Sequence, residues 1–165
     1  MYSLLSLLLC WCLRLDVLQL YKNLDTNNVA YAAYSDQPPT TSDKSSYAHA
    51  KGVMATDSTQ GFYLIHSMPQ WPNARSQGAA PFPDFTYGQS LMCITFPAAR
   101  FEQLAQLQII AHSYVYDSLI SSNMKSMLPS FNSYLSGGTT SVSTPTTTAA
   151  CANRFLSSSW LTNFD

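Results

Sequence analysis

The chain reads as an α/β domain, a mixed sheet with flanking helices. Short β-rich runs alternate with stretches whose apolar residues recur at helical spacing. Ten tyrosines, eight phenylalanines and three tryptophans supply ring area for a sheet-based core. The 165 residues, 46% of them hydrophobic, are enough for one domain with a real interior.

In chain order, residues 28–34 (Asn-Val-Ala-Tyr-Ala-Ala-Tyr) read as a strand, closed by the turn-rich Ser35-Asp36-Gln37-Pro38-Pro39. A polar loop follows over 40–46. Two strand-like runs, 47–55 and 61–66, are joined by Thr56-Asp57-Ser58-Thr59-Gln60, the grammar of a hairpin. Four prolines between Ser67 and Asp84 mark a long loop, and 90–96 is apolar enough for a buried strand. After Pro97, a residue type that favours helix starts, Phe101, Leu104 and Leu107 predict a helix over 98–108. A strand over 109–115 and a second helix over 116–127 are expected next. Residues 136–150 are dominated by Gly, Ser and Thr and read as loop; a last apolar run covers 155–164. The organisation expected is a leader over 1–20, a body over 21–135 and a Ser/Thr-rich tail over 136–165.

Charge narrows the function classes. Eight basic and nine acidic side chains leave a net charge of −1 with no basic stripe, so a grip on nucleic acid by charge alone is not indicated. Charged residues are only 10% of the chain, where about 25% is typical of soluble domains; a polar, Ser/Thr-rich surface suits a secreted or lumenal protein. The apolar run Leu4 to Leu13, followed by Arg14 and Asp16, is too short to span a bilayer and fits the hydrophobic region of a signal peptide. No Lys or Arg precedes it. The alternative is a buried helix continuing through Leu15, Val17, Leu18 and Leu20. No other segment reads as a membrane span. Of the four cysteines, Cys93 and Cys151 would remain after removal of a leader and could pair in an oxidising compartment. Cys10-x-Cys12 lacks a second ligand pair, so neither a metal site nor a cofactor is expected.

The sharpest chemical feature is His49-Ala50-Lys51-Gly52-Val53. In an extended strand, residues i and i+2 leave on one face, about 7 Å apart. An imidazole beside a fixed ammonium is what phosphodiester chemistry requires: the ring attacks phosphorus or protonates a leaving oxygen, and the cation neutralises the non-bridging oxygens. Alone, a His-x-Lys is weak evidence and reads as the exposed edge of a strand. Asp57 either orients His49 or caps the turn. His66, ending an apolar strand, contacts phosphate or supports its neighbours, or is simply a hydrogen-bonded structural histidine. His112, among Ile109, Ile110, Tyr114 and Tyr116, reads as structural.

Four ordered blocks, Ala33 to Pro39, His49 to Val53, Gly61 to Pro69 and Thr86 to Pro97, together resemble the deoxyribonuclease II family over about residues 28–116. The resemblance implies one half of a phospholipase D-like fold of two similar α/β halves, each giving one His-x-Lys to a shared, metal-independent site. It implies an endonuclease acting on DNA in acid through a phosphohistidine, leaving 3′-phosphates, in a secreted or lysosomal setting. His49 and Lys51 match the first motif as catalytic residues, with Asp57 and His66 as candidate supporting residues.

Three departures shape the expectations. The chain stops before a second His-x-Lys, and Lys22, Lys44 and Lys125 have no His two residues before them. The site is therefore expected to be incomplete in one copy, and a homodimer could rebuild it across a twofold axis. The early cysteine that the family would pair with Cys93 is missing, so Cys93 stays free or takes Cys151, Cys10 or Cys12. The tail is simpler in composition than the family's. The competing expectation is a secreted, catalytically silent relative that binds DNA or another partner; a partial product without stable function is the third.

Overall fold

In the computed structural model, the described residues are Tyr21, Leu24, 28–78 and 86–137. The expected leader, most of the Ser/Thr-rich tail and the apolar run 155–164 lie outside them. The elements are β1 (Ala30–Ser35), β2 (Lys51–Thr56), β3 (Gln60–His66), β4 (Leu91–Pro97), α1 (Phe101–Ala111), β5 (Val115–Ile120), α2 (Ser122–Met127) and α3 (Pro129–Leu135). The five strands form one sheet in the order β4-β3-β2-β1-β5, and all four pairings are antiparallel. Helices flank the sheet, as the alternating pattern predicts.

β1 and β2 are buried along their whole lengths, because side chains of alternate residues enter two different cores. On the helix side Ala30, Ala32 and Met54 pack against Phe101, Ala105, Met124, Leu128, Phe131 and Tyr134. On the other face Tyr31, Ala33, Val53, Ala55 and Leu64 pack against Leu24, Met68 and Trp71. Among the described residues the second core is roofed by Met68 and Trp71 of the β3–β4 connection together with Tyr21 and Leu24. Arg75 fastens that roof: its Nε lies 3.1 Å from Asp117 Oδ1 on β5, and its Nη2 donates to the Ser118 carbonyl at 2.6 Å.

Several sequence expectations need correction. β2 starts at Lys51, not at residue 47, because the preceding residues turn back on themselves, with the Ala50 N–H donating to Ala48 O. β4 is not a buried strand. It stands at one edge of the described sheet, with Met92 52% and Ile94 41% exposed. The helix after Pro97 begins with a 3-10 turn over Ala98–Arg100 and continues to Ala111, past the expected end at 108. Its buried residues are Phe101, Ala105 and Gln108, while Leu107 faces out. The strand expected over 109–115 is displaced to 115–120, and of the helix expected over 116–127 only Ser122–Met127 is helical. β5 occupies 115–120, and two short helices follow it, with Pro129 in the first turn of the second. Glu102 of α1 caps that helix by accepting the N–H groups of Ser130 and Phe131 at 2.8 and 3.1 Å.

Cys93 is disulfide-bonded, so the free-thiol alternative does not hold. The other three cysteines lie outside the described residues. Among the described residues no helix is long and apolar enough to cross a membrane.

Candidate active site

Antiparallel register brings the chemistry-bearing residues to one end of the sheet. Lys51, the first residue of β2, lies opposite Ser35 on β1 and His66 on β3. Directly opposite residues share a face, so Lys51 and His66 both point toward the core roofed by Met68 and Trp71. Asp36 follows Ser35 as β1 ends. Its carboxylate is divided between two partners: Oδ1 accepts from Lys51 Nζ at 2.7 Å and Oδ2 meets His49 Nδ1 at 2.6 Å.

His49 and Lys51 thus converge, though not by the strand geometry the spacing predicts. His49 sits in the bend before β2, and a shared carboxylate joins the two. Their environments differ sharply. The His49 side chain is 82% exposed and that of Lys51 only 4%. A carboxylate only accepts, so Nδ1 of His49 carries the hydrogen and Nε2 remains for other work. Burial raises the Asp36 pKa, but the hydrogen bonds and charges of Lys51 and His49 outweigh it and hold the carboxyl below its ordinary value.

The bend carrying His49 is held from several sides. Lys44 N–H donates to Asp36 O at 2.7 Å, and Tyr47 N–H to Lys44 O at 3.0 Å. Ala48 N–H donates to His112 O at 3.1 Å. His112 ends α1 in the left-handed conformation (φ 57°, ψ 47°), and its ring stacks on Tyr47 with centroids 4.5 Å apart.

Gly52 is required where it stands. A β-carbon there would lie 2.6 Å from the Leu64 carbonyl oxygen and would also strike the Tyr34 hydroxyl. That hydroxyl begins a buried polar chain beneath α1. It pairs with Tyr63 Oη at 2.6 Å; Gln108 Nε2 donates to Tyr63 at 2.8 Å, and Ser113 Oγ donates to Gln108 Oε1 at 2.8 Å and meets Tyr134 Oη at 2.6 Å. Burial raises the pKa of both Tyr34 and Tyr63, so both hydroxyls keep their protons.

The remaining candidates separate. Asp57 is occupied in the β2–β3 turn, where Oδ1 accepts the N–H groups of Thr59 and Gln60 at 2.6 and 2.7 Å. Of the two roles weighed for it, the hydrogen bonds fill the turn. His66 is 6% exposed, edge-on to Trp71 at 5.0 Å, and neither ring nitrogen has a hydrogen-bond partner of good geometry among the described residues. Burial first, and then the Lys51 charge, push its pKa down to about 4, against a smaller opposing pull from the Met68 backbone. Asp36 was not singled out by sequence. The signal that could have found it is register: pairing β1 with β2 sets Ser35 against Lys51 and carries the next residue toward 49–51. Among the described residues no cluster of three His, Cys, Asp or Glu could hold a metal ion.

The family model for Deoxyribonuclease II matches residues 12–164. Rat Deoxyribonuclease-2-alpha is 34% identical over 118 residues, 68% of this chain and 34% of that protein. Bovine Deoxyribonuclease-2-alpha is 33% identical over 127 residues, 74% and 34% of the two chains. Plancitoxin-1 of Acanthaster planci is 39% identical over 115 residues, 67% and 32%. The chain spans about one third of the length of the relatives it matches.

Proposed function

The chain belongs to the deoxyribonuclease II family, and on that premise we propose that it carries one His-x-Lys half-site for hydrolysing DNA phosphodiesters. The observation that supports this reading is the split carboxylate of Asp36, with Lys51 at 2.7 Å and His49 at 2.6 Å. A carboxylate on Nδ1 fixes the tautomer and aims Nε2, as in other histidine-based hydrolases. Nε2 is the atom that acts whether His49 is nucleophile or acid. As nucleophile it attacks phosphorus, the bond to the 5′ oxygen breaks, and a second histidine protonates that oxygen. Water then cleaves the phosphohistidine to leave a 3′-phosphate. Lys51 balances the Asp36 charge, so the carboxylate that orients His49 sets no net negative charge against an incoming phosphate.

The 165 residues contain one His-x-Lys, so a two-motif site takes its second from elsewhere. A second copy of this chain across a twofold axis is one source, and further residues of a longer polypeptide are the other. Sedimentation at pH 5 with and without an oligonucleotide separates them. A secreted or lysosomal destination fits the acid chemistry. The second reading, a catalytically silent DNA-binding relative, draws on the burial of Lys51, which keeps its ammonium away from a substrate's direct reach.

The deciding experiment is plasmid nicking at pH 5 with chelator present. Nicking by the chain is expected to fall by at least about a hundredfold in His49→Ala and clearly in Asp36→Asn. Full retention in His49→Ala removes the catalytic assignment, whereas binding without nicking in the unmodified chain selects the silent relative.

A further inference from the structure

We propose that the His112 imidazole, stacked on Tyr47, is a platform for an unpaired nucleobase of the strand whose phosphate lies at His49. The inference rests on the DNA reading above and adds a base-binding subsite to it. The two rings are parallel to within 20° and 4.5 Å apart. Tyr114 closes the far end of the stack edge-on to Tyr47 at 5.0 Å, and Lys44 Nζ lies 5.2 Å from the Tyr114 ring centre. His112 is an exposed residue although Tyr47 covers one ring face. Its main-chain oxygen holds the N–H of Ala48, the residue just before His49. The main-chain bond to Ala48 therefore sets the stack within a nucleotide's reach of His49.

The backbone at His112 sharpens the case. A helix that ends in the left-handed conformation ordinarily does so on glycine, since a β-carbon costs about 1 kcal/mol there. The carbonyl contact to Ala48 needs no side chain. A glycine would serve the helix end and the contact equally, so what the imidazole adds is its ring. Flat π-faces bind bases with little regard to sequence, which matches a site that also lacks a strong positive field. A base within an intact duplex has no free face to offer, so the subsite takes a single-stranded or splayed nucleotide.

The test uses His112→Gly, which keeps the left-handed backbone and the carbonyl and removes only the ring, and His112→Phe, which restores a ring. Binding of short fluorescent single strands to the full chain at pH 5 is read by anisotropy, with a base-bearing strand and one carrying abasic sites at its centre. Expected are a roughly tenfold or larger loss for the base-bearing strand in His112→Gly, little change for the abasic strand, and recovery in His112→Phe. Equal losses on both strands mean that His112 only holds the loop, and overturn the platform. So does an unchanged affinity, or a phenylalanine variant no better than the glycine one. If the unmodified chain binds neither strand, the DNA reading itself fails and the platform with it.

Discussion

At the scale of single residues, the site holds a carboxylate paired with two basic side chains and a separate buried imidazole, and acid acts on them at different points. Asp36 is held below its ordinary pKa, so the stability it lends is present above the unfolded value near 4 and is lost only as pH falls further. At pH 5 the links to Lys51 and His49 stay intact. His66 also has a depressed pKa, about 4, against roughly 6.5 when unfolded. A histidine depressed in this way stabilises the fold above the unfolded value. That contribution drains as pH falls from about 6.5 toward 4, because the unfolded chain takes up the proton first. The slope is expected to amount to about 3 kcal/mol across that interval. His66→Phe keeps the ring against Trp71 and removes the proton site. Urea titrations at pH 7 and pH 4.5 should show the difference in unfolding free energy shrinking in this variant. An identical acid loss in both proteins would place the sensitivity elsewhere. His66 was legible as a strand-ending histidine, but its dry surroundings depend on Met68 and Trp71 folding back over the sheet.

At the scale of elements, β2 is the strand that positions the site, and Gly52 fixes how closely its neighbours approach. The Leu64 carbonyl 2.6 Å from the β-carbon position belongs to the backbone of β3 and cannot swing aside. Gly52→Ala is expected to cost at least about 2 kcal/mol by overpacking. Adding Tyr34→Phe should not restore the loss, because the carbonyl remains. Thermal melts of the single and double variants check both statements; a double variant as stable as the parent would transfer the role to the tyrosine. The elements themselves were unevenly readable. β1 and β3 follow from short β-rich runs bounded by turn residues, and the turn at Asp57 from its polar sequence. β5 does not: Asp117 and Ser118 interrupt Val-Tyr-Asp-Ser-Leu-Ile, and the partner that makes Asp117 acceptable is Arg75, 42 residues away. α1 was found but its inward face was misjudged, because Gln108 is buried to serve the Tyr63 and Ser113 bonds, which no hydrophobicity pattern encodes. The link between His49 and Lys51 was expected for the wrong reason, strand alternation instead of a common carboxylate.

At the scale of the whole molecule, the strand order separates near neighbours from far ones. β1, β2 and β3 each pair with the next strand in sequence, whereas β5 crosses to the opposite edge from β4 and sets Ile120 against Ala30. Closing so long a loop is entropically dear, and its contacts are expected to form after the four-stranded meander. Pulse-labelled amide exchange during refolding should protect Val53 and Leu64 before Tyr116 and Ser118; simultaneous protection would contradict this order. The anchors for the His49 bend, the His112 carbonyl and the Tyr114 ring, arrive with that late strand. A newly made chain can therefore hold most of its sheet while the bend before His49 still lacks its contacts to His112 and Tyr114. Under the proposed nuclease reading this ordering is a built-in delay: competence is conferred by the final act of assembly, not carried from the first.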